Sequence, residues 1–145
     1  MQDRFNLERF VREQETQYAQ ALAELRAGRK QSHWMWYVLP QLKGLGFSAM
    51  SEYYGISGRD EAEAYLGHPV LGYRLVECVL VLMDHAETPV ATVLGDVDAM
   101  KYQSCLTLFE AVTEKGAIFT QALQAHYTGQ RDQRTLELLA RTASG

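Results

Sequence analysis

The feature that most constrains the fold is an apolar stripe near the start of the chain. Apolar residues recur at spacings of three, four and seven positions, at Leu7, Phe10, Val11, Tyr18, Ala21, Leu22 and Leu25. This spacing places them on one face of an amphipathic helix. Gly28 follows as a plausible C-terminal cap. A helix of this kind must bury its apolar face against other elements of the chain.

The rest of the sequence favours further helices separated by short turns. Helices are predicted over residues 33–39, 49–54, 60–66, 69–86, 117–127 and 135–142, and over a segment that Asp96 or Asp98 caps and that runs to about Val112. Ser32 can cap the helix at 33–39, and Pro and Gly mark many of the other boundaries. The sequence therefore predicts an all-α fold, a single compact irregular bundle of about six to eight helices over residues 1–145. An α+β fold is the alternative, because the run 33–39 is too short to be assigned by its period.

Composition excludes several classes of protein. The chain has 14 Lys and Arg against 18 Asp and Glu, a net charge of −4, so no global field attracts nucleic acid or an anionic membrane. The most apolar run spans residues 76–83, far short of the roughly 20 residues of a membrane span. Cys78 and Cys105 lie in apolar runs, where a thiol is usually a small buried hydrophobe in a reducing compartment. We expect a cytoplasmic protein without membrane or nucleic-acid partners.

The most unusual stretch, which we call the aromatic segment, spans residues 29–49. Its aromatic residues include Trp34, Trp36 and Tyr37, and its cations are Arg29, Lys30 and Lys43. Flat rings with a polar edge can stack on a planar group while neighbouring cations hold an anion. Alternatively, the rings fill the core and the cations lie at its rim. The sequence leaves both interpretations open.

Known motifs add little to this segment. Gly44 to Ala49 fits the letters of the dinucleotide fingerprint G-x-G-x-x-A, but no βαβ frame surrounds it, so a Rossmann site is not expected. A glycine-bordered turn that lets a small ligand approach the backbone fits better. The four histidines show neither an HExxH pattern nor metal-ligand spacing to the cysteines, and no metal site is expected. No cofactor or nucleophile can be named.

Polar residues on otherwise apolar helices supply the remaining candidates. His33 is the best single candidate for acid or base work, because the ordinary pKa of histidine lies near neutrality. Two helical rows accompany it: Arg74 with Glu77, and Lys101 with Ser104 and Thr107. Residues three apart share a helix face, so Arg74 and Glu77 can pair. If both rows face His33 they complete a pocket, and if they face water they are solvated surface.

Long motifs resemble those of a small bacterial family, domain of unknown function 1810. They are LERFVREQ, ALAELRAGRKQSHWMWYVLPQLKGLG, EAEAYLGHPVLGYRL, MKYQSCLTLF and TLELL, which together span nearly the whole chain. The resemblance implies an all-helical fold and no established activity. The family's recurring polar positions correspond to Arg29, Lys30, Ser32, His33, Trp34, Gln41, His68, Arg74, Glu77, Lys101, Ser104 and Thr107. A Ser often follows the position of Ser104 in the family, where this chain has Cys105, so a catalytic hydroxyl is doubtful there. The label calpastatin, sometimes attached to the family, is discounted because this chain lacks the composition of a disordered inhibitor.

Two functions remain. The first is binding of a small anionic or nucleotide-like ligand in a pocket around residues 33–41, with His33 and Lys101 as the best catalytic candidates if the protein is also an enzyme. The ligand-binding candidates are Arg29, Lys30, Ser32, Trp34, Tyr37, Gln41, Arg74, Glu77, Ser104 and Thr107. The alternative is a non-catalytic protein-interaction module or homodimer whose interface anchors are Trp34, Trp36 and Tyr37, since such residues dominate binding hot spots.

Overall fold

The computed structural model describes residues 3–114 and 117–143, and these residues form nine α-helices. The helices are α1 Glu8–Arg26, α2 Met35–Val38, α3 Ala49–Tyr54, α4 Arg59–Gly67, α5 Leu71–Met83, α6 Val90–Leu94, α7 Asp96–Glu110, α8 Ile118–Tyr127 and α9 Gln133–Ala143. Six of them have seven residues or more. Within the described ranges the sole extended pairing is an isolated parallel bridge between Leu42 and Ile56. The prediction of an irregular all-α bundle is confirmed.

The core contains the apolar faces of α1, α4, α5 and α7. Phe10 of the α1 stripe is fully buried and lies edge-on to Tyr65 of α4, with 5.1 Å between ring centroids. Tyr65 in turn contacts Phe109 of α7 at 5.4 Å. The inward face of α5 contains Cys78, and both cysteines are buried free thiols. Full burial of one large apolar side chain contributes about 1.5–3 kcal/mol, so the aromatic row is a major stabilising element.

The junction of α4 and α5 requires a close backbone approach. The two helices meet at 87°. A Cβ on Gly72 would lie 2.0 Å from the carbonyl oxygen of Leu66, so only glycine fits there. The imidazole Nδ1 of His68 accepts hydrogen bonds from the backbone N–H groups of Val70 (3.1 Å) and Leu71 (3.2 Å), which caps the start of α5. No single helix in the described ranges is long and apolar enough to cross a membrane.

Some helix starts differ from the sequence prediction. Neither Asp96 nor Asp98 caps α7: the N-cap is Gly95, with a φ of 90°, and both acids lie in the first turn. Carboxylates there interact favourably with the positive end of the helix dipole without forming a cap. Helix α9 begins two residues before the predicted start, since the carboxylate of Asp132 accepts the backbone N–H of Thr135 at 3.1 Å.

Candidate functional site

A buried carboxylate on α1 fixes the start of the aromatic segment. Glu24 is only 6% exposed, and its Oε1 accepts hydrogen bonds from the backbone N–H of Gln31 (2.7 Å) and of Ser32 (2.9 Å). The indole N–H of Trp34 donates to the same oxygen at 3.0 Å. Oε2 accepts from the Ser32 hydroxyl and from the Gln20 amide. Burial alone would raise the pKa of Glu24, but these bonds to the charged form hold it well below its usual range.

The short helix α2 therefore starts differently from the sequence prediction. It comprises only Met35–Val38 instead of residues 33–39, and its N-cap residue, Trp34, makes no side-chain capping bond. Ser32, the expected cap, is bound to Glu24 instead. The Ser32 hydroxyl, which the local sequence assigned to the helix start, donates instead to a carboxylate at the end of α1.

A second buried contact ties the segment to α7. The Lys30 side chain is 6% exposed, and its ammonium lies 2.8 Å from Oδ2 of Asp98. The same ammonium donates to the carbonyl oxygen of Ser32 at 2.5 Å and lies 4.9 Å from the Trp34 ring centroid. Lys30, Ser32 and Trp34 are thus anchors of the segment and are not part of the lining of the neighbouring cleft.

An open cleft of about 270 Å³ lies between the aromatic segment and α7. The segment contributes Trp36, Gln41, Leu45 and Gly46 to its lining. Helix α7 contributes Val97, Met100, Lys101, Gln103 and Ser104, and the start of α9 contributes Asp132 and Arg134. We call this the cation–aromatic cleft. It brings together one predicted wall, the aromatic segment, and two residues of one predicted polar row, Lys101 and Ser104.

The central contact of the cleft joins Lys101 to Trp36. The ammonium lies 3.8 Å from the centroid of the Trp36 ring. Asp98 Oδ1 is also 3.8 Å away, beyond hydrogen-bond distance, and the other oxygen of Asp98 is bound to Lys30. The Lys101 side chain keeps 25% of its surface exposed, and no described residue accepts a hydrogen bond from it. The ammonium therefore faces the cleft with unused donors.

Two further polar side chains of the cleft have little to bind within the protein. The side-chain amide of Gln41 makes no hydrogen bond to any residue in the described ranges. Arg134 is exposed, and its one described hydrogen bond is a long one, 3.5 Å from Nη1 to the carbonyl oxygen of Leu45. Together with Lys101, these groups give the cleft one amide and two cations that can bind a ligand.

The other polar residues of the α7 row have structural partners. The carboxylate of Asp132 accepts the Ser104 hydroxyl at 3.1 Å and the Thr135 hydroxyl at 2.5 Å. The Thr107 hydroxyl accepts the backbone N–H of Asp132 at 3.0 Å and donates to the carbonyl of Gln103 at 2.8 Å. These bonds hold the connection between α8 and α9 on α7. Ser104 lines the cleft but its hydroxyl is already used, and Thr107 is fully buried.

The Arg74 row does not reach the cleft. Tyr18 of α1 lies between the two residues: its ring centroid is 4.8 Å from the Arg74 guanidinium, and its hydroxyl donates to Glu77 at 2.5 Å. The expected direct pairing of Arg74 with Glu77 is thus replaced by a bridge through Tyr18. Burial raises the pKa of the Tyr18 hydroxyl, which favours this donor role. Arg74 also lies 3.4 Å from the amide oxygen of Gln14, and Glu77 lies 3.9 Å from Arg26.

The remaining predicted site residues lie outside the cleft. Arg29 and His33 are exposed, and Tyr37 is 6% exposed with its hydroxyl bound to the carbonyl of His33 at 3.1 Å. His33, Arg74 and Lys101 therefore do not converge on one pocket. In the described ranges no group of three His, Cys, Asp or Glu side chains is placed to hold a metal ion.

Sequence reasoning missed three buried polar residues of α1. They are Arg9, Gln14 and Glu24, each less than a tenth exposed. Gln14 donates to the carbonyl of Tyr37 at 2.6 Å and so holds α2 from below, as Glu24 holds the preceding turn. The sequence does indicate that Gln14 and Glu24 are buried. Gln14 falls four residues after Phe10 and Glu24 three residues after Ala21, so both lie on the apolar stripe.

Comparison with known proteins identifies a family and a similar structure. A family model described as a protein of unknown function, DUF1810, matches residues 4–139. The crystal structure of the conserved hypothetical protein Rv1873 from Mycobacterium tuberculosis is similar, with a TM-score of 0.92 and 44% sequence identity. The match covers 95% of this chain and 99% of that chain. No curated protein matches the chain.

Proposed function

This chain belongs to DUF1810, a family of proteins of unknown function, and we propose that it binds a small anionic ligand in the cation–aromatic cleft. One observation carries the proposal. The Lys101 ammonium is held 3.8 Å over the Trp36 ring at the cleft wall, without a hydrogen-bond acceptor among the described residues. An ammonium with unused donors in a concave site favours an anionic partner.

The charges around the cleft also favour an anionic ligand. The cleft is lined by two cations, Lys101 and Arg134, and one carboxylate, Asp132, and the ion pair of Lys30 with Asp98 lies beside Lys101. Three positive and two negative charges leave one positive charge, in a chain whose net charge is −4. Asp98 is shared between Lys30 at 2.8 Å and Lys101 at 3.8 Å, and Asp132 is bound at the start of α9, so the carboxylates neutralise Lys101 only in part. The local field thus favours an anion although the protein as a whole is acidic.

The volume of the cleft indicates how large a ligand it can enclose. Pockets for drug-sized ligands and cofactors usually measure about 300–1,000 Å³. At about 270 Å³ this cleft lies just below that range. The open cleft can enclose a single small anion or a mononucleotide-sized compound, whereas a dinucleotide would extend beyond it.

A thermal-shift screen against anionic metabolites tests the proposal. A ligand at about 100 times its dissociation constant adds roughly 2.7 kcal/mol of stability, and each kcal/mol raises the melting temperature by about 2–4 °C in a chain of this size. Lys101→Met should abolish the shift, because it removes the charge and keeps the apolar stem. Lys43→Met, an exposed lysine of the same segment outside the cleft, and His33→Ala should retain it. Equal shifts in Lys101→Met and the unmodified protein would place binding elsewhere.

The alternative function is a protein-interaction module or homodimer. Its exposed apolar residues are not the ones that the sequence predicted as interface anchors. Trp34 is fully buried and Tyr37 nearly so, which removes two of the three expected interface anchors. The observation that favours an interaction surface is the exposure of large apolar side chains, above all Phe47 at 92% and Met100 at 70%. Sedimentation velocity across a hundredfold range of concentration separates the two functions. A monomer throughout would argue against self-association, and a Phe47-dependent dimer would support it.

A further inference from the structure

The two tryptophans of the aromatic segment have different surroundings. Trp34 is fully buried, and its indole N–H donates to Glu24. Trp36, two positions later, is half-buried at the cleft wall, and no described residue accepts a hydrogen bond from its indole N–H. Trp34 thus completes the core, whereas Trp36 leaves a large flat ring partly open to a cavity. That placement suits contact with a ligand better than it suits stability.

One face of the Trp36 ring is covered by an ammonium. Lys101 carries this group on a flexible four-carbon stem, so the ammonium can move without any change in the backbone. Stacking of a planar aromatic group on an indole is as strong as, or stronger than, a partly exposed cation–π contact. A planar ring can therefore replace the ammonium on Trp36.

The displaced ammonium loses its contact with the ring, and none of the described residues accepts a hydrogen bond from it. Asp98, the nearest carboxylate, already holds Lys30 at 2.8 Å, and it lies 3.8 Å from Lys101. An anionic group attached to the ring would supply the acceptor. A neutral ring alone would leave the displaced ammonium to water, whereas a compound with both a ring and an anionic group binds Trp36 and Lys101 together.

We infer that the ligand of the cation–aromatic cleft is a planar aromatic compound with one anionic group, whose ring stacks on Trp36 and whose carboxylate or phosphate binds the Lys101 ammonium. This inference rests on the proposed function and narrows it to one class of compound. The free amide of Gln41 lies on the same wall as Trp36 and is placed to bind polar atoms of such a ring. The single net positive charge near the cleft and its volume of about 270 Å³ both match one anionic group on one small ring system.

The test compares complete probes with their halves. Adenosine monophosphate is titrated beside adenosine and inorganic phosphate, and benzoate beside benzyl alcohol and acetate. The titrations follow the side-chain N–H signals of ¹⁵N-labelled protein, with the Trp36 indole signal assigned from Trp36→Phe. We expect at least one ring-bearing anion to bind about tenfold or more tightly than both of its halves. Its binding should shift the Trp36 indole signal and leave the buried Trp34 signal nearly unchanged. The two series distinguish a phosphate from a carboxylate ligand.

Variants separate stacking from charge. Trp36→Leu and Lys101→Met should each weaken the binding of the successful probe by about tenfold or more. Lys43→Met is the matched control, since it removes an exposed lysine of the same segment outside the cleft, and it should change the affinity less than twofold. Melting curves of all variants establish that each is folded before it is titrated.

The outcomes for the two proposals differ. If inorganic phosphate or acetate shifts the Gln41 and Gln103 amide signals with the affinity of the ring-bearing probe, the cleft binds anions and the requirement for a planar ring is wrong. A bound probe that leaves the Trp36 signal unmoved overturns the stacking in the same way. Alternatively, the thermal-shift screen yields a ligand that depends on Lys101 although none of the planar anions binds. That result refutes only the inference that the ligand carries a planar aromatic ring. If that screen yields no Lys101-dependent ligand either, the proposed function fails as well.

Discussion

Glu24→Ala is the substitution whose effect the structure defines most directly. Removal of the carboxylate leaves the fully buried indole N–H of Trp34 without an acceptor, which costs about 1–3 kcal/mol. The backbone N–H and the hydroxyl of Ser32 lose charged partners in a half-buried position and add about 2 kcal/mol. The total is about 3–5 kcal/mol, and the melting temperature should fall by about 6–20 °C.

The assay is urea unfolding at neutral pH, with Glu15→Ala as control. Glu15 is an exposed carboxylate on the same helix, and its removal should change stability by less than about 0.5 kcal/mol. A loss below about 1 kcal/mol in Glu24→Ala, or a loss equal to that of the control, would refute the assignment of Glu24 as the anchor of the aromatic segment.

The pH dependence provides an independent check. The folded-state pKa of Glu24 is lowered from its ordinary value of 4.5, because hydrogen bonds to the charged form outweigh the burial that alone would raise it. Its contribution to stability is therefore complete above about pH 4.5 and is lost as the pH falls toward the lower folded-state pKa. Glu24→Gln removes this contribution, so its stability should fall less steeply below pH 4.5 than that of the unmodified protein.

Two further predictions concern buried charge. Arg9, 7% exposed, pairs with Glu61 at 2.8 Å, and Arg9→Met leaves that carboxylate buried without its cation, so we expect a loss of about 3–5 kcal/mol. The double variant Arg9→Met/Glu61→Gln should recover part of the loss in urea titrations, and no recovery would mean that the charge is not the cause. His126 has no hydrogen-bond partner for either ring nitrogen within the described ranges, and burial lowers its pKa below the ordinary 6.5. The unfolded chain thus binds the proton first, so stability should fall as the pH drops below about 6.5. His126→Phe should flatten this slope between pH 7 and 5, and an unchanged slope would contradict the assignment.

Local pattern was sufficient to place most helices. The stripe between Leu7 and Leu25 predicts α1 to within a residue, and the predicted range 49–54 coincides with α3. Gly28 follows α1 in the left-handed conformation, with a φ of 74°, as its expected capping role requires. These features depend on residues close together in sequence, whose periodicity and backbone preferences do not need a partner element to be recognised.

The hydrogen-bond partners of polar side chains could not be predicted from local spacing. Arg74 and Glu77 have the spacing of a helical pair, yet Tyr18 from α1 lies between them. Ser32 has the position of a helix cap, yet Glu24 takes its hydroxyl. In both cases a side chain from another helix competes with the local partner and offers a shorter or charged hydrogen bond.

The sequence by itself determined most of the helices, most of their buried faces and the unusual character of the aromatic segment, because each of these follows from local spacing and composition. Only the tertiary structure decided which residues of that segment face a cavity. It buried Trp34 against Glu24, and it brought Lys101 of α7 over Trp36 at 3.8 Å. Spacing fixes neighbours within a helix, whereas contacts between helices depend on how the whole chain packs.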